Sequence, residues 1–208
     1  MKKNYIASDS AVIAAIMAIS LLISGIFTAV SSEKHIEKSL VRLHILANSD
    51  SELDQQLKLR VRDAVLASSD ELFEPYSSSE EAEEALSDQL DKIKAIADST
   101  LAENGCDDRT VCEITSMDID RREYGEYTVP AGRYTALRIT IGEGKGHNWW
   151  CVMYPPLCVP CAGVDMTDEE IMEKYGGELT DEDIELLTEE GYKPRLYIAE
   201  LIGWLLEK

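Results

Sequence analysis

The sequence predicts an α+β domain carried behind an apolar leader. Three observations lead there. Residues 41–47 and 133–141 alternate apolar and polar side chains with the period of a strand. Between them, two stretches repeat their apolar residues at helical spacing: Leu57, Val61, Ala64 and Val65, then Ala82, Leu86, Leu90, Ile93, Ala97 and Leu101. Ahead of everything lies Ala11–Val30, an apolar run with no charge between Asp9 and Glu33.

The leader follows Lys2 and Lys3, and a positive end before an apolar stretch is the pattern of an export segment. At about 20 residues the run is long enough to cross roughly 30 Å of hydrocarbon as a helix. Small residues at Ala29, Ser31 and Ser32 also offer a cleavage site, so both a cleaved signal peptide and a retained signal anchor fit residues 1–32. Residues 33–208 form the expected exported domain. The whole chain carries 40 acidic and 20 basic side chains, a net charge of −20, and its first 32 residues are net positive, so the domain holds all of the net negative charge. That charge argues against nucleic acid as a partner and against electrostatic docking on anionic lipid. The membrane is expected to matter only through the N-terminal segment. With 45% apolar residues the chain is too apolar to be disordered throughout.

Within the domain, Val41–Ala47 predicts a strand with Val41, Leu43 and Ile45 on one face and Arg42 and His44 on the other. Asn48-Ser49-Asp50-Ser51 breaks it, and Ser49 with Glu52 reads as a capping box opening a helix. Along that helix Asp54, Lys58 and Arg62 are spaced for i,i+4 charge pairing. Ser78 with Glu81 opens a second helix, closed by Asn104-Gly105. Its acidic first turns, Glu80 to Glu84, read as a solvated face favoured by the helix dipole. Strands are expected at 111–117, 133–141 and 149–154, the last two joined by a hairpin through Gly142-Glu143-Gly144-Lys145-Gly146 in a small antiparallel sheet. Acidic helices from Asp168 and Asp181, and a largely apolar one from Arg195 to Glu207, complete the α+β pattern.

Chemistry-bearing residues are sparse. Cys106, Cys112, Cys151, Cys158 and Cys161 all follow the leader. In an oxidising compartment pairing is expected. A local Cys151–Cys158 bridge across the Pro155-Pro156 turn would stabilise by roughly 2–3 kcal/mol, and Cys106 with Cys112 offers a second pair. Cys158 and Cys161 form a C-x-x-C without the βαβ setting of a redox motif, and too few further ligands accompany it for a zinc site. His147 and Cys151 lie about 13 Å apart on a regular strand, which excludes their direct pairing. The Gly-rich loop lacks the frame of a phosphate-binding loop. No metal and no cofactor are expected. An enzyme, if present, would be a thiol enzyme using Cys151 or Cys158 with His44 as base; an anchored structural protein of the envelope is a third reading.

Two stretches carry a resemblance. Arg42-Leu43-His44-Ile45-Leu46-Ala47-Asn48-Ser49-Asp50-Ser51, continuing from Asp54 through Val65, resembles the opening of the stage II sporulation protein R family. Pro130-Ala131-Gly132, then Gly142 to Val152 with its Gly-Glu-Gly-Lys-Gly-His-Asn-Trp-Trp-Cys-Val order, and Tyr154 to Cys158, resemble that family's second signature. The resemblance covers roughly residues 10–160, and the chain departs from the pattern after Cys158. It implies a protein made in the forespore and exported into the space between the forespore and mother-cell membranes. There it would trigger a membrane-embedded aspartic protease that cleaves the precursor of the early mother-cell sigma factor. On that reading the chain is a signal rather than an enzyme. The partner surface expected here combines the polar face of the first strand and its following turn (Arg42, His44, Asn48, Asp50) with Trp149 and Trp150, because arginine and aromatic side chains are the usual anchors of binding energy.

Overall fold

A computed structural model describes residues 3–68, 76, 78–124, 127–155 and 178–188. The order of elements is α1 (Lys3–Ser39), β1 (Val41–Leu46), α2 (Glu52–Ala67), α3 (Ser79–Asp88), α4 (Leu90–Glu103), β2 (Thr110–Ile119), β3 (Arg122–Tyr124), β4 (Tyr127–Val129), β5 (Gly132–Ile141), β6 (Asn148–Tyr154) and α5 (Asp181–Thr188). The α+β class is as the patterning predicts. The expected helices at 168–175 and 195–207, and Cys158 and Cys161, lie outside the described residues.

The main sheet has four strands in the order β2-β5-β1-β6. β1 pairs in parallel with β5 and antiparallel with β6, so the sheet is mixed. This corrects the hairpin reading of Gly142–Gly146. The segment does not join neighbouring strands; β1 lies between β5 and β6, and the glycines arch over its C-terminal end. Local composition signals a tight reversal but carries no trace of a third strand supplied from a hundred residues upstream. A separate two-stranded ribbon, β3–β4, precedes β5.

Both faces of the sheet are covered. On one, Val41, Leu43, Ile45, Leu137, Ile139, Cys151 and Met153 pack against Leu57, Val61 and Val65 of α2, Ala82 and Leu86 of α3, and Ile93, Ala97 and Leu101 of α4. On the other, Tyr134 and Val152 meet Ile36 of α1 and Leu40 just beyond it, Tyr127 and Val129 of the ribbon, and Leu179 and Leu187. A central strand buried on both sides is the normal consequence of parallel pairing. The alternation of β1 had suggested a solvated polar face; instead Arg42 and His44 are interior.

Helix starts differ in detail from expectation. The cap of α2 is Ser51, whose side chain accepts from the Asp54 amide, while Ser49 donates to the Asp54 carboxylate at 2.5 Å. Ser78 does cap α3, accepting from the Glu81 amide. The expected single helix over 82–101 is two, interrupted at Gln89, which serves as C-cap of α3 and N-cap of α4. The interruption leaves the apolar spacing intact, which is why periodicity does not register it.

α1 runs for 37 residues and stops one residue before β1. Its described apolar side chains at Val12, Ile13, Ile16, Met17, Ile19, Leu21 and Ile23 are exposed, while Ile36 and Leu40 sit in the core. Among the described residues no helix is long and apolar enough to cross a membrane; Ala11, Ala14, Leu22 and 25–30, whose side chains lie outside the described set, belong to the same run in the sequence.

Candidate functional site

The C-terminal ends of the parallel strands β1 and β5 lie side by side, and their following loops interlock there. The Asn48 carbonyl accepts from the Lys145 amide at 3.1 Å and the Ala47 carbonyl from the Gly146 amide at 2.9 Å. The Asn48 side-chain oxygen accepts from the Glu143 amide at 2.9 Å. Asp50 Oδ1 accepts from the His147 amide at 2.6 Å and from His147 Nδ1 at 2.5 Å. Beneath them the buried Lys58 Nζ donates to the His147 carbonyl at 3.0 Å and to Gln55 Oε1 at 2.6 Å, and Gln55 Nε2 donates to the Ser49 carbonyl. Lys58 therefore braces the loops and does not form the expected ladder with Asp54 and Arg62.

The glycines permit this approach. Gly142 and Gly144 have φ of +54° and +62°, the left-handed region. A Cβ on Gly146 would collide with the Ser49 carbonyl. Hydrogen bonds from His147 hold the Asp50 carboxyl below its ordinary value. Those from Ser49 do the same, as the largest effect, for Asp54. Burial lowers Lys58. Asp50 and His147 themselves face solvent.

Behind this junction lie the two polar side chains of β1. Arg42, 0% exposed, donates from Nε to the Cys151 carbonyl at 3.0 Å and from Nη2 to the Tyr124 hydroxyl at 2.6 Å. Its guanidinium sits 5.5 Å from the Tyr124 ring centre and 5.0 Å from that of Tyr134. Burial lowers its pKa. His44, 3% exposed, stacks face to face on Trp150 with ring centres 3.7 Å apart. Neither His44 ring nitrogen has a hydrogen-bond partner among the described residues. Burial, with the Arg138 charge as a lesser cause, pushes its pKa down to about 4.

Of the residues expected to form a partner surface, Asn48 and Asp50 therefore stand at the exposed junction. Arg42 and His44 do not; they are interior, and this corrects the reading of them as exposed anchors. Trp149 and Trp150 are both half-buried, on opposite faces of β6, Trp149 lying under the Arg62 guanidinium at 5.0 Å. The thiol-enzyme pairing of Cys151 with His44 is also corrected. Cys151 packs among the helices on one face, and His44 stacks on Trp150 on the other. Cys106 and Cys112 carry free thiols, so they do not form the second bridge. Among the described residues no His, Cys, Asp or Glu group gathers as metal ligands. His147, Lys58 and Tyr124 were not singled out from the sequence as site residues; only long-range pairing of loops brings them in.

The molecule is thus an α+β sheet domain behind a long N-terminal helix, and two of its segments, far apart in sequence, are hydrogen-bonded into one exposed junction. The family model for stage II sporulation protein R matches residues 37–163, which take in both segments. Stage II sporulation protein R of Bacillus subtilis (strain 168) is 39% identical over 150 residues, 67% of each chain. The chain belongs to the stage II sporulation protein R family, and its role is in sporulation. The family is named for that process and not for an enzymatic activity. No solved structure matches.

Proposed function

We propose that the chain is an exported signal that activates a membrane-embedded aspartic protease, which then processes the early mother-cell sigma-factor precursor, and that it catalyses nothing itself. Family membership and the apolar leader support this reading. The observation that carries it is the junction. The two segments by which the chain resembles its family are braced together by backbone and side-chain hydrogen bonds, with Asp50 and His147 left facing outward. A rigid, preorganised surface suits recognition, because little freedom remains to be lost on binding.

In this reading Asn48, Asp50 and His147 touch the protease and Trp149 borders the contact. Arg42, His44 and Trp150 hold the strands behind it. The protein must bind the active arrangement of the protease more tightly than the inactive one, since equal affinity for both shifts no equilibrium. In the oxidising space outside the forespore membrane, Cys151 pairs with Cys158.

Co-expression of the chain with the protease and the sigma precursor tests the proposal. Processing is expected from the exported chain and not from one lacking residues 3–32. Asp50→Ala with His147→Ala should cut processing at least about tenfold at unchanged protein level. Undiminished processing in the double variant sinks the surface; equal processing by the retained form sinks the topology.

A further inference from the structure

At the opposite end of the sheet, where α1 meets the starts of β1 and β5, lies a cavity of about 460 Å³. We propose that it is a second binding site, one that receives a lysine or arginine side chain from a loop of the membrane-embedded partner. Its wall brings Glu37, Glu80, Glu83 and Glu178 against two full cations, Lys38 and Arg133. Arg133 is already turned toward β2, donating to Ser116 and lying 4.0 Å from Asp118. Glu178 receives the Ser79 amide and Glu83 the Thr135 hydroxyl. Glu37 and Glu80 have no hydrogen-bond or ion-pair partner among the described residues.

Two further groups point to an occupant. Ser39 and Ser79 line the cavity at 3% and 7% exposure, and their hydroxyls have no partner among the described residues. A serine hydroxyl that faces a cavity can accept a hydrogen bond from whatever fills it. Free carboxylates at the mouth and free hydroxyls within suit a group that carries positive charge and several N–H donors at once. Ammonium and guanidinium groups do so.

Position argues for a membrane protein as the source. This proposal rests on the function proposed above. α1 reaches the sheet with only Leu40 between it and β1, so the cavity stands where the leader helix joins the domain. With the leader still attached, that end of the domain is the one a short loop rising from the same bilayer reaches. The junction at Asp50 and His147 is a strand-length further out.

The probe is N-acetyl-arginine amide, titrated into the full-length protein in detergent micelles and followed by amide chemical shifts. It should move the resonances of Ser39, Ser79 and Thr135. Its uncharged counterpart, N-acetyl-citrulline amide, should not. Glu37→Gln with Glu80→Gln should weaken the arginine response at least about tenfold. Absent shifts, or equal shifts with both probes, overturn the site. In the co-expression assay the same double variant should lose most processing; normal processing overturns the partner assignment. If the wild-type chain triggers no processing at all, the proposed function fails, while arginine binding in the cavity still reports on the site itself.

Discussion

Arg42 holds a positive charge where water does not reach it and where, among the described residues, no carboxylate pairs with it. Two hydrogen bonds and two tyrosine rings offset its desolvation, a costly arrangement that fixes β1, β6 and the β3–β4 ribbon relative to one another. His44 has a similar setting and a measurable consequence. Its pKa falls to about 4 in the folded protein from an ordinary 6.5, so the unfolded chain takes up the proton first. The stability gained by keeping His44 neutral is fully present above 6.5 and is lost as pH falls toward 4. By linkage the loss approaches about 3 kcal/mol. Urea melts across pH 4–7 should show this slope, and His44→Phe should flatten it; equal slopes in both proteins contradict the assignment. The identities of these residues were plain in the sequence, and their strand was too. What alternation could not report is that a second layer covers the polar side, since an arginine flanked by tyrosines yields the same apolar–polar rhythm as one in water.

The loop from Gly142 to His147 shows what an element owes to distant partners. Its glycines read as a turn, correctly, but their conformation answers to Asn48 and Ser49 and not to a neighbouring strand. Gly146→Ala should force the loop off the Ser49 carbonyl and destabilise by ~3 kcal/mol, with the junction hydrogen bonds broken. Amide exchange at Lys145, Gly146 and His147 checks this, because those protons should become far less protected; unchanged protection would mean the contact is not close. The helices were more legible. Leu57, Val61, Leu86, Ile93, Ala97 and Leu101 all turn inward as their spacing predicts. Their boundaries at Ser51 and Gln89 were less so, because serines at 49 and 51 both suit a cap and a one-residue interruption does not disturb a stripe.

For the molecule as a whole, the end of α1 and the residue after it belong to the folded domain. Ile36 and Leu40 are buried against Leu179, Leu187 and Tyr134, and His35 Nε2 donates to the Glu178 carbonyl at 2.9 Å. A chain starting at Glu33 should therefore unfold as one cooperative unit with an undiminished urea midpoint. One starting at Val41 should lose ~4 kcal/mol or more, since two large aliphatic side chains leave the core; identical midpoints would show that the segment only leans on the domain. The apolar run and the charged stretch that follows it were plain in the sequence, whereas the docking of 35–40 was not, because Ile36 and Leu40 stand among charged neighbours. The absence of any linker between α1 and β1 has a mechanical corollary. A rod joined to a plate without slack hands every twist on, and each helical residue sets about 100° of heading. While the rod stays attached, the number of residues in it, and not only their oiliness, steers the compass bearing in which Asp50 and His147 look.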